Sequence, residues 1–364
     1  MPPISDWGLF TMNLINFIPK KINNKEINII NLNNKLIISA KGTGSPKQLT
    51  LENEIKINNF LFEVIGLYFG DGLNTKNHSG NRRVAFANSN YKLHEYWLRF
   101  LEYFGINKNQ LFAQIGIGQN INKETVLNYW LTKTKIPKDR FARVSKCKDK
   151  SCKEGVLSIE FNSVIFKSIF DNIFDYCITI LPKRKNHIPP FIAGLFAAEG
   201  RVAIRNNSLN YLGIAIKDDS RREFVKSLLK KIGIRPSKDN QFQEIIIPGY
   251  INSKIFNDTN MAKIHPKKSK LFNNGFYFLS KSKVPALTKI KVIDLLKKQS
   301  MTRFQIADKL NMDISLIHKM LKDLEMKGIV KRTGKEKSIL KSRDIWSLVK
   351  IPKDTLSLMK YHYQ

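Results

Sequence analysis

Two short stretches, residues 63–72 and 191–200, are almost wholly apolar in a chain that is otherwise rich in polar positions. Apolar side chains around all sides of each stretch predict a buried helix. Small residues recur four positions apart in both stretches, so one face of each helix is nearly bare and another backbone can approach it closely. These small residues are Gly66 and Gly70 in the first stretch and Gly194 and Ala198 in the second. The pattern predicts a closely packed pair of helices.

Each stretch ends in a carboxylate followed by a glycine, Asp71-Gly72 and Glu199-Gly200. A carboxylate in the last helical turn faces the negative end of the helix dipole, which costs from a few tenths to about 1 kcal/mol unless a cation offsets it. For one stretch alone, a buried helix followed by a glycine explains the pattern equally well. The same unfavourable feature occurring twice favours a chemical role for the two acids.

The elements expected after the two stretches follow the same order, which indicates an internal repeat. Alternating polar and apolar residues predict strands, and apolar residues at helical spacing predict helices. The strands are expected at 82–88 and 110–117 in the first copy and at 201–205, 211–217 and 241–247 in the second. The helices are expected at 91–106 and 220–234.

Alternation along the strands separates a basic sheet face from an apolar one. The apolar face would cover the helices, and the basic face would lie along a DNA groove, where arginine can contact guanine edges. The alternative for each of these side chains is a solvated sheet face. The DNA-contacting residues that the pattern predicts are Arg82, Arg83, Arg201, Arg205, Tyr211 and Lys217.

The two stretches resemble the nine-residue motif of the LAGLIDADG homing endonucleases, at residues 64–72 and 192–200. The small residues of the contact face, the final acid and the last glycine are all kept. The resemblance implies an α+β fold with pseudo-twofold tandem repeats, in which the paired motif helices lie centrally under DNA-binding antiparallel sheets. It also implies that Asp71 and Glu199 bind a divalent metal, with Mg²⁺ as the expected cofactor.

Two positions depart from the family's pattern. The second acid is Glu199, one methylene longer than the aspartate of the namesake motif, and this shifts the expected metal position. The position two before each acid holds Phe69 or Ala197, where the namesake motif has an aspartate that is not a ligand. Neither metal-binding acid is replaced by an uncharged residue, which favours catalysis over an inactive scaffold.

Basic segments precede the end of each repeat, at 181–185 and 265–270. Family members carry a basic residue near each active site that stabilises phosphate charge or helps to activate water. By that resemblance we expect Lys183 and Lys267 at the active site, and Lys217 matches a peripheral position whose first-copy counterpart is either Asn88 or Asn90. Solvated linker lysines are the alternative. The expected catalytic residues are Asp71, Glu199, Lys217, Lys183 and Lys267.

Charge narrows the class of partner. The 364 residues include 62 lysines and arginines against 30 aspartates and glutamates, a net charge of +32. Such an excess implies a polyanion, first of all nucleic acid. No apolar span reaches about 18 residues, so no membrane partner is expected. Three cysteines suggest no disulfide framework, and we expect an intracellular protein of a prokaryotic cytoplasm or nucleoid, or of an organelle, that is not secreted.

From residue 284 the pattern changes to three helices and a hairpin, which resembles a winged helix-turn-helix module. The helices are expected at 288–298, 302–310 and 313–326, and the hairpin strands at 329–332 and 344–348. The DNA contacts expected from this module are Ser315, His318, Lys319, Lys322, Lys335 and Lys337. Such modules also bind proteins, but the basic wing favours DNA.

The predicted domains are an N-terminal extension of unassigned role at 1–58, the first LAGLIDADG repeat at 59–180, the second at 181–283, the winged helix-turn-helix domain at 284–350 and a tail at 351–364. Within the extension, two apolar runs around Asn33-Asn34 predict a small hairpin.

The resulting hypothesis is a monomeric, Mg²⁺-dependent endonuclease that makes a double-strand break in duplex DNA at a long, pseudo-symmetric site. One alternative is a sequence-specific transcription regulator, since a family of such regulators joins a LAGLIDADG-like domain to a helix-turn-helix, usually with the acids lost. Another is an RNA maturase that binds intron RNA. Asp71 and Glu199 argue against the regulator, and the winged helix argues mildly against a pure maturase.

Overall fold

A computed structural model describes most of the chain. The described residues are 11–40, 48–72, 83–146, 153–239, 243–336 and 343–349. Two compact units divide the chain, the first formed by residues 1–203, 211–248 and 252–273 and the second by residues 204–210, 249–251 and 274–364. Arg82, Lys337 and the tail at 351–364, which the sequence-based predictions include, lie outside the described residues. Among the helices that are described, none combines the length and the apolarity needed to cross a bilayer.

The N-terminal segment is built from strands. They are β1 (Thr11–Asn13), β2 (Lys21–Ile22), β3 (Lys25–Leu32), β4 (Lys35–Ala40), β5 (Gln48–Glu52) and β6 (Glu54–Lys56). One sheet has the order β2-β3-β4-β5, and β1 pairs separately with β6. The hairpin expected around Asn33-Asn34 is confirmed, because these residues join β3 to β4 at φ values of 48° and 63°, a left-handed conformation that asparagine tolerates.

A helix, a sheet and further helices follow between residues 59 and 180. These elements are α1 (Asn59–Asp71), β7 (Arg83–Asn88), α2 (Tyr91–Tyr103), β8 (Phe112–Ile117), α3 (Lys123–Thr134), β9 (Phe141–Lys146), β10 (Val156–Asn162) and α4 (Val164–Ile180). The first sheet has the order β7-β10-β8-β9. Its β10 is antiparallel to both neighbours, whereas β9 is parallel to β8 and is reached through α3.

The next segment repeats much of this order. Its elements are α5 (Ile188–Glu199), β11 (Gly200–Arg205), β12 (Ser208–Ala215), α6 (Asp219–Lys231), β13 (Ser237–Asp239), β14 (Glu244–Pro248), α7 (Tyr250–Asp258) and α8 (Pro266–Lys298). The second sheet has the order β11-β12-β14-β13. In each sheet the strand before the amphipathic helix pairs with the last strand of the segment, so β12 corresponds to β7 and β14 to β10.

Helices α1 and α5 pack backbone to backbone. A methyl group on Gly66 would fall within 3.0 Å of the Phe191 carbonyl, and one on Gly194 would fall within 3.0 Å of the Glu63 carbonyl. A methyl group on Gly70 would fall within 3.0 Å of Cβ of Ala198. Side chains larger than hydrogen at these glycines would push the two backbones apart, so the bare faces set the distance between the helices.

The second unit contains the C-terminal elements. These are β15 (Met301–Thr302), α9 (Arg303–Leu310), α10 (Ile314–Met326), β16 (Val330–Glu336) and β17 (Arg343–Leu348), with the sheet order β15-β17-β16. Its core is formed by apolar side chains at helical spacing on α10, which pack against the end of α8, against α9 and against the sheet. Residues of this core include Val292, Leu296, Ile306, Ile317, Leu321, Leu324 and Trp346. A capping box at Thr302 and Gln305 starts α9.

Several expected elements differ in extent from the observed ones. The helix expected at 288–298 is the last part of α8, which runs unbroken from Pro266. The helices expected at 91–106 and 220–234 end earlier, because Gly105 and Gly233 turn the backbone with φ values of 83° and 87°. The sequence does not predict α3 or β9, which are short segments without a clear apolar period.

We expect Gly66→Ala and Gly194→Ala each to lower the free energy of unfolding by roughly 1 to 3 kcal/mol, because the added methyl meets backbone that cannot move alone. Calorimetry would measure the loss. Gly334→Ala is the matched control, since its new methyl would meet only Ile345 at 3.7 Å, an ordinary contact. Equal unfolding enthalpies and midpoints for all three variants would contradict the close helix contact.

Candidate active site at the ends of the paired helices

The two motif acids lie at the same end of the helix pair. Helix α1 ends at Asp71 and α5 ends at Glu199. The close packing continues to this end, because a methyl group on Gly70 would lie 3.0 Å from Cγ of Glu199. Two carboxylates from different halves of the chain are thereby brought together, as the bare helix faces require.

The acid pair is electrostatically strained. Burial, and then the charge of Glu199, raise the pKa of Asp71 from its ordinary value of 3.8 to about 6. Burial also raises the pKa of Glu199, against the opposing charges of Lys268, Arg221 and Lys217. Both carboxylates are therefore costly to ionise in the folded protein, and each would be stabilised by a cation.

Lys268, in the first turn of α8, supplies one positive charge. Its Nζ donates hydrogen bonds to the carbonyls of Phe196, Ala197 and Ala198, at 3.1, 2.8 and 2.9 Å. These carbonyls belong to the last turn of α5, where the Phe196 carbonyl also accepts the amide of Gly200, so Lys268 offsets the negative end of that helix. Burial lowers the pKa of Lys268 to about 8, although the charges of Asp71 and Glu199 oppose the shift.

Arg221, in the first turn of α6, has the matching role for α1. Its guanidinium donates a hydrogen bond to the carbonyl of Phe69 and lies 3.8 Å from the centroid of the Phe69 ring. The charge of Arg221 also lowers the pKa of Glu199. Each motif helix therefore ends against a cation from a different element, which offsets the cost of ending in an acid.

Asn88, the last residue of β7, orients Asp71 by donating a hydrogen bond from Nδ2 to Oδ2 of the acid at 2.7 Å. The carbonyl of Asn88 is in turn 2.9 Å from Nε2 of His94, a fully buried residue. Burial lowers the pKa of His94 to about 4, so its ring is neutral at pH 7. Asn90 instead caps α2 through the amide of Lys92 and lies 3.3 Å from Nε2 of His265.

The structure brings together only part of the catalytic set that the sequence predicts. Lys217 follows β12, and its charge lowers the pKa of Glu199, but its side chain is exposed. Lys183 lies before the start of α5 and is separated from Glu199 by that 12-residue helix, about 18 Å long, so it is not at the acids. The hydrogen bonds to the end of α5 come from Lys268 and not from the expected Lys267, whose catalytic role stays a prediction.

Three residues at the site were absent from the predicted set: Lys268, Arg221 and Asn88. No sequence signal separates Lys267 from Lys268, because both lie in the first turn of α8 and only the packing of that helix decides which one points at the acids. The sequence pattern does not indicate a role for Arg221 either, since its guanidinium binds a backbone carbonyl of the distant helix α1. The sequence indicates Asn88 only as one of two candidate counterparts of Lys217.

The predicted DNA contacts lie on separate surfaces. On the first sheet, Arg83 is half-buried and pairs with Glu160. On the second, Arg201 and Arg205 are exposed, and Arg201 contacts the hydroxyl of the half-buried Tyr211. In the second unit, exposed side chains are present at Ser315, Lys319 and Lys322 of α10 and at Lys335 of β16, while His318 is half-buried.

The acid pair fits a divalent cation only if other ligands complete the site. Among the residues that the structure describes, no group of three or more His, Cys, Asp or Glu side chains could hold a metal ion. Mg²⁺ in proteins is commonly bound by one or two carboxylates together with water and phosphate oxygens. Asp71 and Glu199 supply such hard oxygen ligands, and their raised pKa values show that they would gain from a cation.

Residues 189–246 match the family model of the LAGLIDADG-like domain. The matched stretch runs from the start of α5 through Glu199 to β14, and it includes Arg221. No curated protein sequence matches the chain.

Two solved structures are similar. Full-length DUF199/WhiA from Thermatoga maritima shares 12% identity over 74% of this chain and 90% of that chain, with a TM-score of 0.36. I-DmoI in complex with DNA and Mn shares 16% identity over 57% of this chain and 98% of that chain, with a TM-score of 0.35. Both TM-scores are below 0.5, so the LAGLIDADG-like domain is identified by the family match over residues 189–246.

Asp71→Asn should stabilise the chelator-treated protein at pH 7.5. Because the folded-state pKa of Asp71 is raised, its contribution to stability is fully present below about pH 4 and is lost as pH rises through about 6. Removing the charge should recover on the order of 1 to 3 kcal/mol at pH 7.5 and almost nothing at pH 4. Thermal unfolding at the two pH values measures this difference.

Asp258→Asn is the matched control, since Asp258 also ends a helix but is exposed and pairs with Lys254. It should leave stability at pH 7.5 unchanged or slightly lower. A destabilised Asp71→Asn protein at pH 7.5 would show that the Asp71 carboxylate is satisfied without a metal.

Proposed function

We propose that the protein is a divalent-metal-dependent endonuclease that makes a double-strand break in duplex DNA at a long, pseudo-symmetric site. The observation that carries this proposal is the pair Asp71 and Glu199, held together at one end of two backbone-packed helices, where burial makes both carboxylates costly to ionise. A DNA-binding domain without chemistry gains nothing from this costly arrangement. The chain would work as a monomer, because it supplies both acids itself.

A divalent cation held by Asp71 and Glu199 would lower the pKa of bound water and stabilise charge on phosphate oxygens. The other residues position this pair. Asn88 fixes the rotamer of Asp71 through its 2.7 Å hydrogen bond. Lys268 and Arg221 fix the ends of the two helices by binding their last carbonyls, and Lys268 places an ammonium group beside both acids where phosphate charge would develop.

Three surfaces of this chain would hold the DNA. The outer faces of the two sheets carry Arg83 and Arg201, each beside a buried glutamate, Glu160 or Glu244. Within the second unit we interpret α9 and α10 with the sheet β15-β17-β16 as a winged helix-turn-helix, with α10 as the helix that enters the major groove. The tandem LAGLIDADG repeats are the corresponding interpretation of the two motif-led segments.

A second candidate function is a DNA-binding regulator that uses the same surfaces without cleavage. The exposed lysines of α10, Lys319 and Lys322, favour this function, because DNA binding through that helix would not require Asp71 or Glu199. The two functions differ in one observable, the appearance of new DNA ends.

Cleavage of a randomised duplex library in Mg²⁺, followed by sequencing of the new ends, tests the proposal. The wild-type protein should give recurrent paired ends, and the Asp71→Asn, Glu199→Gln double variant should give none while it still binds the selected site in Ca²⁺. Paired ends from the double variant would remove the acids from the chemistry. Site-specific binding by the wild type without any new ends would favour the regulator.

Lys268→Met should slow cleavage of the selected site at least ~10-fold, because it removes a charge beside the acids and three hydrogen bonds to the end of α5. Lys267→Met is the matched control and should cut at close to the wild-type rate. Single-turnover kinetics measures both rates. The assignment of Lys268 over Lys267 would be wrong if the two variants lost the same activity.

Lys319→Ala and Lys322→Ala should together weaken binding to the selected site without changing the single-turnover cleavage rate of fully bound DNA. Both side chains are exposed on α10, and neither is among the groups that shift the pKa of Asp71 or Glu199. Removing two phosphate contacts should also reduce the salt dependence of binding by about two units of slope. A reduced cleavage rate at saturating protein would contradict this separation of binding from chemistry.

A further inference from the structure

The first motif-led segment contains an insertion that the second lacks. Strands β13 and β14 are joined by residues 240–243 alone, whereas their counterparts β8 and β10 are separated by residues 118–155. That stretch contributes α3 and the strand β9, which lies at the edge of the first sheet, parallel to β8. A parallel neighbour requires a crossover connection, and α3 provides it.

The insertion is strongly basic. Residues 118–146 contain seven lysines and arginines against two acids, Glu124 and Asp139. Six of the cations have exposed side chains: Lys123, Lys133, Lys135, Lys138, Arg143 and Lys146. Lysines at a sheet edge also prevent edge-to-edge pairing with another chain, so charge alone does not identify a binding surface.

A row of hydrogen bonds ties the insertion to the rest of the first sheet. Arg83 on β7 donates to Glu160 on β10 at 2.5 Å, and Gln114 on β8 donates to the other oxygen of Glu160 at 2.6 Å. Arg143 on β9 donates from Nε to the side-chain oxygen of Gln114 at 3.1 Å. The row takes one residue from each strand in the order of the sheet, β7, β10, β8 and β9.

The row lies on the sheet face turned away from the core. Leu157, Ile159 and Phe161 of β10 are buried on the opposite face, so Glu160 alternates to the outer one. Its side chain is nevertheless only 2% exposed. A carboxylate so far removed from water is costly unless it is paired and hydrogen-bonded. The side-chain partners of the Glu160 carboxylate are Arg83 and Gln114, donors on the same outer face of the sheet.

We propose that the insertion extends the DNA-contacting face of the first sheet, and that Glu160 and Gln114 hold Arg83 and Arg143 in one line along that face. The inference rests on the proposed binding of duplex DNA. Arginines held in place by buried acceptors lose less freedom on binding than free side chains do, and their directions are fixed for phosphate or guanine contacts. Glu160 is a positioning residue that acts through the two arginines.

The consequence is an asymmetric DNA site. Both sheets have four described strands, but β9 lies beyond β8 at an edge where the second sheet ends with β13. At the opposite edge, β11 of the second sheet corresponds to the Gly72–Phe86 bridge of the first sheet, so the extra strand is not offset there. The half-site under the first sheet should therefore be longer on the β9 side. One strand extends a sheet by about 4.8 Å, and a base pair rises about 3.4 Å, so the difference should be at least about one base pair.

Hydroxyl-radical footprinting of the wild-type protein on its selected duplex, in Ca²⁺, tests this inference. The protected region should extend further on one side of its pseudo-symmetric centre. Arg143→Ala should shorten that longer side only, whereas Arg201→Ala, on the second sheet, should affect the other side only. Lys230→Ala, an exposed change on α6, is the control that should alter neither side.

The Glu160→Gln variant distinguishes the positioning of the two arginines from a simple effect of the protein's net charge. The substitution makes the protein more basic, so affinity for random duplex DNA should be unchanged or higher. Discrimination between correct and substituted base pairs on the longer side should fall by at least ~10-fold, the equivalent of 1.4 kcal/mol. A purely structural role would instead lower discrimination on both sides together. Gln114→Ala, which breaks the same row without touching the buried acid, should repeat the one-sided loss.

A symmetric wild-type footprint, or one that Arg143→Ala leaves unchanged, would overturn the inference while leaving the proposed DNA binding intact. Absence of any sequence-specific protection by the wild-type protein would be a failure of the proposed function itself.

Discussion

The rest of the structure depends on the backbone-to-backbone contact of α1 and α5. Gly66 against Phe191 and Gly194 against Glu63 allow no side chain between the two helices. That contact brings the ends of both helices to one place, and it therefore sets the separation of Asp71 and Glu199. A looser helix pair would keep the fold of each half but would separate the two acids.

The protein offsets only part of the free-energy cost of holding two buried acids at the ends of these helices. Lys268 and Arg221 bind the last carbonyls of the two helices and offset their dipoles. They do not restore ordinary acidity, since the pKa of Asp71 stays near 6 and that of Glu199 stays raised. A site in which two buried carboxylates are held together and remain costly to ionise is suited to a divalent cation.

The sequence is enough to predict what depends on spacing along the chain. The four-residue spacing of small residues and the nine-residue motif identify Gly66, Gly194 and the two acids, because both patterns lie within a single helix. The choice of Lys268 over Lys267 depends on the rotation of α8 against α5, and the capping of α1 by Arg221 depends on contact between distant segments. The segment that contains α3 and β9 has no counterpart after α5, so comparison of the two motif-led segments does not predict it. Local patterns therefore predict the motif helices and their acids, but not the groups that surround them.

The central claim is that both acids hold one metal site. Manganese can be followed directly, so binding of Mn²⁺ to the DNA-bound protein, measured by electron paramagnetic resonance with the wild type, Asp71→Asn and Glu199→Gln, tests it most directly. We predict saturable, tight binding by the wild type and a loss of at least ~10-fold in affinity in each single variant, because each removes a charged ligand. Unchanged Mn²⁺ affinity in either variant would contradict the claim.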